Sequence, residues 1–315
     1  MQGTASFGRR AGGAYLYIMK RLFTYIVSLL AVFINFTSFA QQKKVVSNNG
    51  DQSLIWRITG KGLQKPSYLF GTMHIICADD YVWTPAMKKS LDQSEKVCFE
   101  MDMDDPSVAL TVAAGMIDKS GKKLADYFTP AQYALLKTYI KDSVGMDITM
   151  LEQMKPVFLQ TLMDVKISVG CPNPVYYEDS ISKTAAKENK EILGLETPEE
   201  QLAVLQTLPV DTVIKEILDV IQGKTTDAKQ EYNELIAAYR QQDLPRLYEL
   251  IQKSEDAGSD MGPLLYERNK KWIPRMSDKM KKSSVFFAVG AGHLYGESGV
   301  VSLLRKDGYM VEAVK

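Results

Sequence analysis

Two stretches of the sequence, Tyr68–His74 (YLFGTMH) and Phe286–His293 (FFAVGAGH), have the same form. Each is an apolar run followed by Gly-x-x-His, and their two histidines are the only ones among 315 residues. A short apolar run that ends at glycine predicts a buried strand. Because ligands of open sheets collect beyond the carboxyl ends of the strands, we expect both histidines to project into one crevice.

The paired motifs favour one site built from two distant parts of the chain. Imidazole is the commonest metal ligand among side chains, and it transfers protons near neutral pH. A histidine-poor chain that places both copies in one local context therefore predicts a functional role for His74 and His293. The alternative is two structural histidines with satisfied hydrogen bonds.

The two ends of the chain repeat one order of elements. Residues 67–101 predict a strand, Gly-x-x-His, a helix and a strand, and residues 284–313 predict the same order. We expect both units to join one central mixed sheet in an α+β fold that approaches α/β, with a large helical middle packed over it. The strand at 96–101 follows the first histidine through one helix, so we expect it beside the strand that carries His74.

Local signals predict where several helices begin and end. Thr84-Pro85 is typical of a helix start, with threonine as N-cap and proline in the first turn. Periodic apolar residues predict helices through the middle of the chain, and a short strand is predicted at 191–195. The predicted middle helices cover 106–170 with breaks, 179–188, 198–205, 210–221, 228–240, 244–254 and 264–281, the last kinked or broken at Pro274.

The start of the chain has the order of a secretory signal peptide. Lys20 and Arg21 precede an apolar run over 22–36, and small residues at Ser38 and Ala40 suit cleavage. We predict a signal peptide over 1–40, with Met19 as the suspected true start. A flexible lead-in over 41–52 follows it. The rest of the chain, 53–315, is predicted to form one domain with a helical insertion at about 106–281. The alternative is an uncleaved anchor, although a membrane span needs roughly 20 apolar residues.

Charge and cysteine content narrow the class of protein. Lys and Arg number 38, as do Asp and Glu, so the net charge is zero and nothing predicts a nucleic-acid partner. Cys77, Cys98 and Cys171 are too few for a disulfide framework and lack the spacing of metal ligands. One bridge is compatible with three cysteines, but we favour buried free thiols.

Two acidic residues end strands that are otherwise apolar. Glu100 lies in the strand at 96–101, and Glu196 directly follows the strand at 191–195. A buried carboxylate is costly unless a cation pairs with it, and no lysine or arginine lies within the core of the first strand. Two histidines with one or two carboxylates suit a divalent ion that keeps a water, such as zinc, manganese or cobalt. Glu196 is alternatively a helix N-cap or dipole partner.

Five short motifs follow one another in an order that is more specific than any one of them. They are Phe70–His74, Phe99–Asp102, Leu195–Gln201, Glu267–Asn269 and Val289–Gly296. This set resembles the TraB/PrgY/GumN/TIKI family from about Leu54 to Val314. The resemblance implies a metal-dependent hydrolase whose fold is similar to the erythromycin esterase and ChaN-like group. TIKI members of the family are proteases that need a divalent cation such as manganese or cobalt.

The same resemblance implies roles for individual residues. His74 and His293 carry the two family histidines, Glu100 carries the acid, and Arg268 with Asn269 forms a polar pair on the long helix. A guanidinium beside a metal can hold a substrate carboxylate or a developing oxyanion. Without the resemblance, we would expect Arg268 in a surface ion pair and Asn269 in solvent.

Tyr295, just past His293, is the last candidate residue for substrate binding. Its hydroxyl could donate a hydrogen bond to an oxyanion, or its ring could simply pack.

We therefore predict an exported metal-dependent hydrolase, periplasmic or secreted, that has no permanent membrane span after signal cleavage. The cation would lie on His74, Glu100 and His293, with Glu196 as a second candidate acid, and the substrate would be a peptide or a small molecule. One alternative is a metal-free, esterase-like hydrolase with a histidine as general base. Another is a protein that binds and sequesters a peptide without turnover.

Overall fold

The computed structural model describes residues 52–169, 171–224, 228–256 and 261–315. The predicted signal peptide and nearly all of the predicted lead-in lie outside these residues. Across the described ranges, no helix is both long and apolar enough to cross a membrane.

The strands and helices of the described residues make an α+β fold. The strands are β1 (Ile55–Thr59), β2 (Ser67–Thr72), β3 (Ile75–Cys77), β4 (Lys96–Met101), β5 (Pro174–Tyr176), β6 (Glu191–Glu196), β7 (Val285–Gly290) and β8 (Met310–Ala313). The α-helices are α1 (Pro85–Asp92), α2 (Pro106–Met116), α3 (Pro130–Tyr139), α4 (Pro156–Val169), α5 (Tyr177–Lys187), α6 (Pro198–Leu205), α7 (Val210–Ile221), α8 (Ala228–Arg240), α9 (Leu244–Asp256), α10 (Glu267–Met280) and α11 (Val300–Lys306).

A mixed sheet of six strands in the order β6-β4-β7-β2-β1-β8 forms the centre of the fold. The strands β6, β4, β7 and β2 are mutually parallel, whereas β1 runs antiparallel to β2 and β8 on either side. Every residue of β2 and β7 is buried, as expected for central strands covered on both faces. The predicted central mixed sheet is therefore confirmed.

The position of β4 in this sheet corrects one expectation. We expected β4 beside β2, the strand that leads to His74, but β4 pairs with β7 and β6. The strand β7 lies between β2 and β4 and is parallel to both. The local sequence indicates that a strand exists but not which strands lie beside it. Here the strand between β2 and β4 is β7, which begins 189 residues after β4 begins (285 − 96).

Local capping accounts for the helix starts around the sheet. Thr84 caps α1 by accepting a hydrogen bond from Met87, with Pro85 in the first turn, as predicted. Thr197 caps α6 in the same way, and its capping box uses Glu200 at the third helical position. Pro274 lies inside α10, where a break or kink was expected, and the helix continues through it.

A second, two-stranded sheet was not predicted. The strand β3, directly after His74, pairs antiparallel with β5. Cys77 and Cys171 form a disulfide beside this sheet, with Cα atoms 6.0 Å apart, whereas Cys98 is a buried free thiol. Our preference for free thiols was therefore wrong for two of the three cysteines, because the sequence does not show that β3 and β5 lie side by side.

Buried apolar side chains form two clusters. One packs on the central sheet and includes Phe70, Phe99, Phe286 and Trp272. The other lies among the middle helices and includes Phe158, Met163 and Ile217. The carboxyl ends of β2, β4, β6 and β7 lie at one edge of the sheet, and the candidate residues follow from that edge.

Candidate functional site

The two Gly-x-x-His motifs leave neighbouring parallel strands at the same level. Thr72 at the end of β2 is paired with Gly290 at the end of β7, so the chain leaves both strands at one edge of the sheet. His293 then lies in a short 3-10 turn, Ala291–His293. His74 has a φ of 36°, in the left-handed region that residues other than glycine rarely adopt.

The structure brings both histidines together around Glu100. His74 Nε2 lies 3.6 Å and His293 Nε2 lies 3.9 Å from the same carboxylate oxygen, Glu100 Oε1. All three residues are buried, with relative exposures of 5%, 1% and 7% for His74, His293 and Glu100. Both histidines of the repeated motif thus approach one carboxylate, although 219 positions separate them (293 − 74).

Gly290 provides the space between these side chains. Its N–H donates to Glu100 Oε1 at 2.9 Å. A Cβ atom at this position would lie 2.9 Å from His74 Nε2 and 3.4 Å from Glu100 Oε1. The glycine is therefore needed because backbone and imidazole approach closely here, not because of a special backbone conformation: its φ is −53°.

Arg268 on α10 is the cation of this cluster. It is 1% exposed, and its Nη2 lies 2.6 Å from Glu100 Oε2 and 2.9 Å from Glu196 Oε2. We expected Glu100 to need a bound cation because the core of its own strand has no basic residue, but Arg268 supplies the positive charge from a distant helix. The reading of Arg268 as a surface residue is equally wrong.

All the N–H groups of Arg268 face acceptors within the protein. Nε donates to Glu196 at 3.0 Å, and Nη1 donates to the Leu264 carbonyl at 3.1 Å and lies 3.3 Å from His293 Nε2. Nη2 contacts the carboxylates of both Glu100 and Glu196. A substrate group could reach this guanidinium only by replacing one of these acceptors, and the contact with His293 is the longest of them.

Glu196, expected as a second candidate acid, lies at the end of β6 and anchors Arg268. Its Oε1 also accepts a hydrogen bond from Trp272 Nε1 at 2.7 Å. It is not the N-cap of α6, a role that Thr197 has. Glu196 thus contacts Arg268 rather than either histidine.

Asn269 fixes the orientation of the His293 ring. Its Oδ1 lies 2.7 Å from His293 Nδ1, and its Nδ2 donates to the carbonyls of His293 at 3.2 Å and Ser298 at 2.8 Å. With the amide nitrogen facing two carbonyls, Oδ1 accepts from Nδ1, and Nε2 is the unprotonated atom of the neutral ring. The expectation of a solvated Asn269 was wrong, since the side chain is 1% exposed.

Glu178 is a site residue that the sequence did not reveal. It lies in the first turn of α5, and its Oε1 is 2.7 Å from His74 Nδ1. An acid in the first turn of a helix is expected from the helix dipole alone, so the sequence position of Glu178 does not indicate a functional role. Gln201, the last residue of the third motif (Leu195–Gln201), also enters the site, and its side-chain amide donates to Glu100 Oε2 at 3.3 Å.

Tyr295 and Glu312 lie apart from the central cluster. The ring of Tyr295 packs against Tyr248 with centroids 5.6 Å apart and an interplanar angle of 63°. Glu312, an acid in the strand that closes the second Gly-x-x-His unit, lies on edge strand β8 in an exposed ion pair with Arg57 at 2.7 Å.

The charges of the cluster shift the pKa values of its members in different directions. Burial tends to raise the pKa of Glu100, but Arg268, the two imidazoles and the Gly290 N–H together hold it well below its ordinary range. Burial lowers the pKa of His293 to about 3, with Arg268 adding to the effect. Burial also tends to lower the pKa of His74, but Glu178 outweighs it, so that pKa is raised.

The donor chemistry suits a divalent cation. His74 Nε2 is buried without a hydrogen-bond partner, and the other nitrogen of each imidazole bonds an acceptor, as in histidines that ligate metals. Two ligand atoms at about 2.1 Å from one ion lie at most about 4.2 Å apart, and both imidazole distances to Glu100 satisfy that limit. As they stand, however, no three histidine, cysteine or acidic side chains in the described ranges form a group that could hold a metal.

Comparison with known proteins places the chain in a family. The sequence model of the TraB/PrgY/gumN family matches residues 54–313. The chain belongs to the TraB/PrgY/gumN family. The resemblance seen in the five short motifs is thereby confirmed. No solved structure matches the chain, so the expected likeness to the erythromycin esterase and ChaN-like group stays a prediction.

Curated relatives of this family member carry a common name. Metalloprotease TIKI1 of Danio rerio is 24% identical over 316 residues, which cover 82% of this chain and 63% of the relative. Metalloprotease TIKI2 of Xenopus tropicalis is 25% identical over 317 residues, with coverages of 82% and 59%. Metalloprotease TIKI1 of Homo sapiens is 22% identical over 313 residues, with coverages of 82% and 61%. The chain thus spans about three fifths of the length of these relatives.

Proposed function

We propose that this family member is an exported, metal-dependent hydrolase of peptide bonds that acts at the cluster of His74, Glu100 and His293. The observation that carries the proposal is the approach of both Nε2 atoms to one oxygen of Glu100, at 3.6 and 3.9 Å, at a buried sheet edge. The name metalloprotease, shared by the relatives, supports a peptide as the substrate class.

A divalent cation, manganese, cobalt or zinc, would be held by His74 Nε2, His293 Nε2 and Glu100 Oε1. When bound, such an ion lowers the pKa of a water and polarises a carbonyl. The donor types and the spacing of each Nε2 from Glu100 Oε1 support this ligand set, whereas the contact of Arg268 with His293 Nε2 would have to be exchanged for it.

The surrounding residues act on this cluster in separate ways. Asn269 and Glu178 hold the two imidazole rings so that each Nε2 is directed to Glu100. Arg268 balances the charge of Glu100, and Glu196 fixes Arg268 in place. Arg268 would reach a substrate oxyanion once its contact with His293 is released, and Tyr295 is the other candidate for substrate contact.

A metal-free reaction is the second candidate because Arg268 already neutralises Glu100. In that reaction, His74 Nε2 would take a proton from the attacking water as general base. Its raised pKa suits this role, since a base works best with a pKa near the ambient pH.

Metal analysis together with peptide turnover tests the proposal. The chain from Gln41 onward would be purified, its metal content measured by mass spectrometry, and its hydrolysis of a peptide library followed with manganese, cobalt, zinc or a chelator. We expect metal-dependent turnover that both His74→Gln and His293→Gln abolish. The variant Glu312→Gln, on the exposed edge strand, serves as the control and should match the parent.

Three other results would separate the alternatives. Turnover that persists in chelator and fails in His74→Gln would favour the metal-free reaction. Peptide binding without turnover under any of these conditions would contradict hydrolysis and favour a sequestering protein. N-terminal sequencing of the protein from its native host tests export, because a retained segment before Ala40 would indicate an anchor instead.

A further inference from the structure

The contact between Glu178 and His74 is supported by a second hydrogen bond and by the backbone on both sides of it. Glu178 Oε1 lies 2.7 Å from His74 Nδ1 and accepts a second hydrogen bond from Thr72 Oγ1 at 2.9 Å. Glu178 is 7% exposed, and Thr72 is 1% exposed. Because a carboxylate oxygen accepts hydrogen bonds, this geometry puts a proton on Nδ1 of His74.

The backbone fixes the two residues relative to each other although 104 positions separate them (178 − 74). The strands β3 and β5, which adjoin them, pair with Ile75 opposite Tyr176. The Tyr177 N–H donates to the carbonyl of His74 at 3.0 Å. The Cys77–Cys171 disulfide closes the far end of the same two strands.

The other side of the His74 ring is open to the cluster. Its Nε2 is buried without a hydrogen-bond partner and lies 3.6 Å from Glu100 Oε1. Glu100 Oε1 is beyond hydrogen-bonding distance, so no hydrogen bond on this side fixes which ring nitrogen carries the proton of the neutral imidazole. That choice therefore falls to the contacts of Nδ1, and Thr72 Oγ1, at 3.4 Å, is a weaker partner than Glu178.

We propose that Glu178 is a positioning residue that holds neutral His74 as the Nδ1–H tautomer, so that the lone pair of Nε2 is presented to Glu100 and His293. The tautomer itself is independent of the proposed hydrolysis, whereas its effect on turnover rests on that proposal.

Nitrogen NMR of the imidazoles tests the tautomer directly. The chain has two histidines, so ¹⁵N-histidine labelling gives two sets of ring signals, and His293→Gln assigns them. Spectra would be recorded on metal-free protein at about pH 9 and above, until the His74 signals stop changing, because Glu178 raises the pKa of His74 above that of an ordinary imidazole. We expect His74 of the parent to show a protonated Nδ1 and an unprotonated Nε2.

Two substitutions at Glu178 separate its role as acceptor from its role in packing. Glu178→Met removes the acceptor while keeping an unbranched chain, and should shift His74 toward the Nε2–H tautomer. Glu178→Gln retains an amide oxygen and should preserve the Nδ1–H form. Asp179→Asn is the matched control, since Asp179 adjoins Glu178 but is exposed and pairs with Lys183.

Either of two results would overturn the proposal: an Nε2–H tautomer in the parent, or an unchanged Nδ1–H tautomer in Glu178→Met. Unchanged His293 signals show that a variant is folded, and the parent spectrum decides the question if Glu178→Met does not fold. In an active protein, Glu178→Met should lower kcat about 10- to 100-fold with partial rescue by Glu178→Gln. A parent without turnover would contradict the proposed hydrolysis but leave the tautomer result intact.

Discussion

Arg268 Nη2 lies 2.6 Å from Glu100 Oε2, and the same nitrogen lies 2.9 Å from Glu196 Oε2. One buried guanidinium thus joins the carboxyl ends of the neighbouring strands β4 and β6. Removing one partner of such a buried group leaves an uncompensated charge, which is more costly than the net value of the pair. Substitutions here should therefore affect folding and activity together.

The variant Glu100→Gln preserves shape and removes the charge. We expect the free energy of unfolding to fall by about 3 kcal/mol, because Arg268 keeps only Glu196 as its ionic partner. Hydrolysis should fall at least about 100-fold, since a ligand or charge at the reacting centre is lost. Urea denaturation and kcat measure the two effects.

A matched exposed pair provides the control for this substitution. Glu312→Gln breaks an ion pair with Arg57 in which both side chains are at least half exposed, and should change stability by less than about 0.5 kcal/mol. If Glu100→Gln folds, binds metal and hydrolyses peptide like the parent, Glu100 is structural and Glu196 becomes the candidate acid.

Gly290→Ala adds one methyl group between the two imidazoles. The backbone angles of Gly290 suit alanine, so only the contact with His74 Nε2 at 2.9 Å opposes the change. We expect a folded protein that has lost metal binding and at least about 90% of its turnover, because a shift near 1 Å can cost about 100-fold. Calorimetric metal titration and kcat provide the measurements.

Gly292→Ala in the same motif is the control for Gly290→Ala. Its added Cβ meets Ile251 Cδ1 at 3.1 Å, the mobile end of a side chain outside the cluster. Near-parental metal affinity is expected for this variant, and equal losses in both variants would show that the loop, rather than the space at Gly290, determines binding.

Reduction of the Cys77–Cys171 disulfide should destabilise the protein. The bridge joins residues 94 positions apart, and cross-links over long loops typically contribute about 2–4 kcal/mol. Thermal denaturation with and without a phosphine reductant measures the loss. The double variant Cys77→Ser/Cys171→Ser should be equally destabilised and should not respond to reductant, whereas Cys98→Ala should keep the response.

Asp164→Asn should stabilise the protein at alkaline pH. Asp164 lies on α4 beside α7, where burial and then Glu216 raise its pKa well above the ordinary value. A carboxyl group with a raised folded-state pKa favours folding fully below its unfolded pKa of about 3.9, and that contribution is lost as the pH rises through the folded-state pKa. The gain from asparagine should therefore be measurable at pH 8 and vanish near pH 4.

Urea denaturation across this pH range checks the sign. Asp219→Asn, on the same helix as Glu216, gives the opposite control. The hydrogen bond from Lys215 lowers the pKa of Asp219. Removing the Asp219 charge should therefore slightly lower the free energy of unfolding at neutral pH. A uniform gain for Asp164→Asn at every pH would show that packing, and not ionisation, is responsible.

Local sequence signals predicted most of the elements and part of the site. Thr84 and Pro85 gave a helix start, and the paired Gly-x-x-His motifs gave two buried strands and the approach of His74 to His293. These features depend on a few adjacent residues, which is why they are visible without a structure. Glu100 was found for a related reason, because a lone acid is conspicuous among apolar strand residues.

The remaining features depend on pairings between distant segments. Arg268 reaches Glu100 across 168 positions, and Glu178 reaches His74 across 104. The same is true of the disulfide and of β7 between β2 and β4. Each partner has an ordinary local role on its own, as a helix residue or a buried thiol, so local patterns could not single it out.

The central position of β7 has a consequence for the order of events during synthesis. A growing chain that has not yet reached Val285 already contains β2 and β4, with His74 and Glu100. It still lacks β7, the strand that lies between β2 and β4 and pairs with both. Contacts between such distant segments form slowly, because a long loop must close first. A nascent chain therefore carries an incomplete cluster through most of its translation, and the cluster is completed only when one of the last segments of the chain is inserted into the sheet.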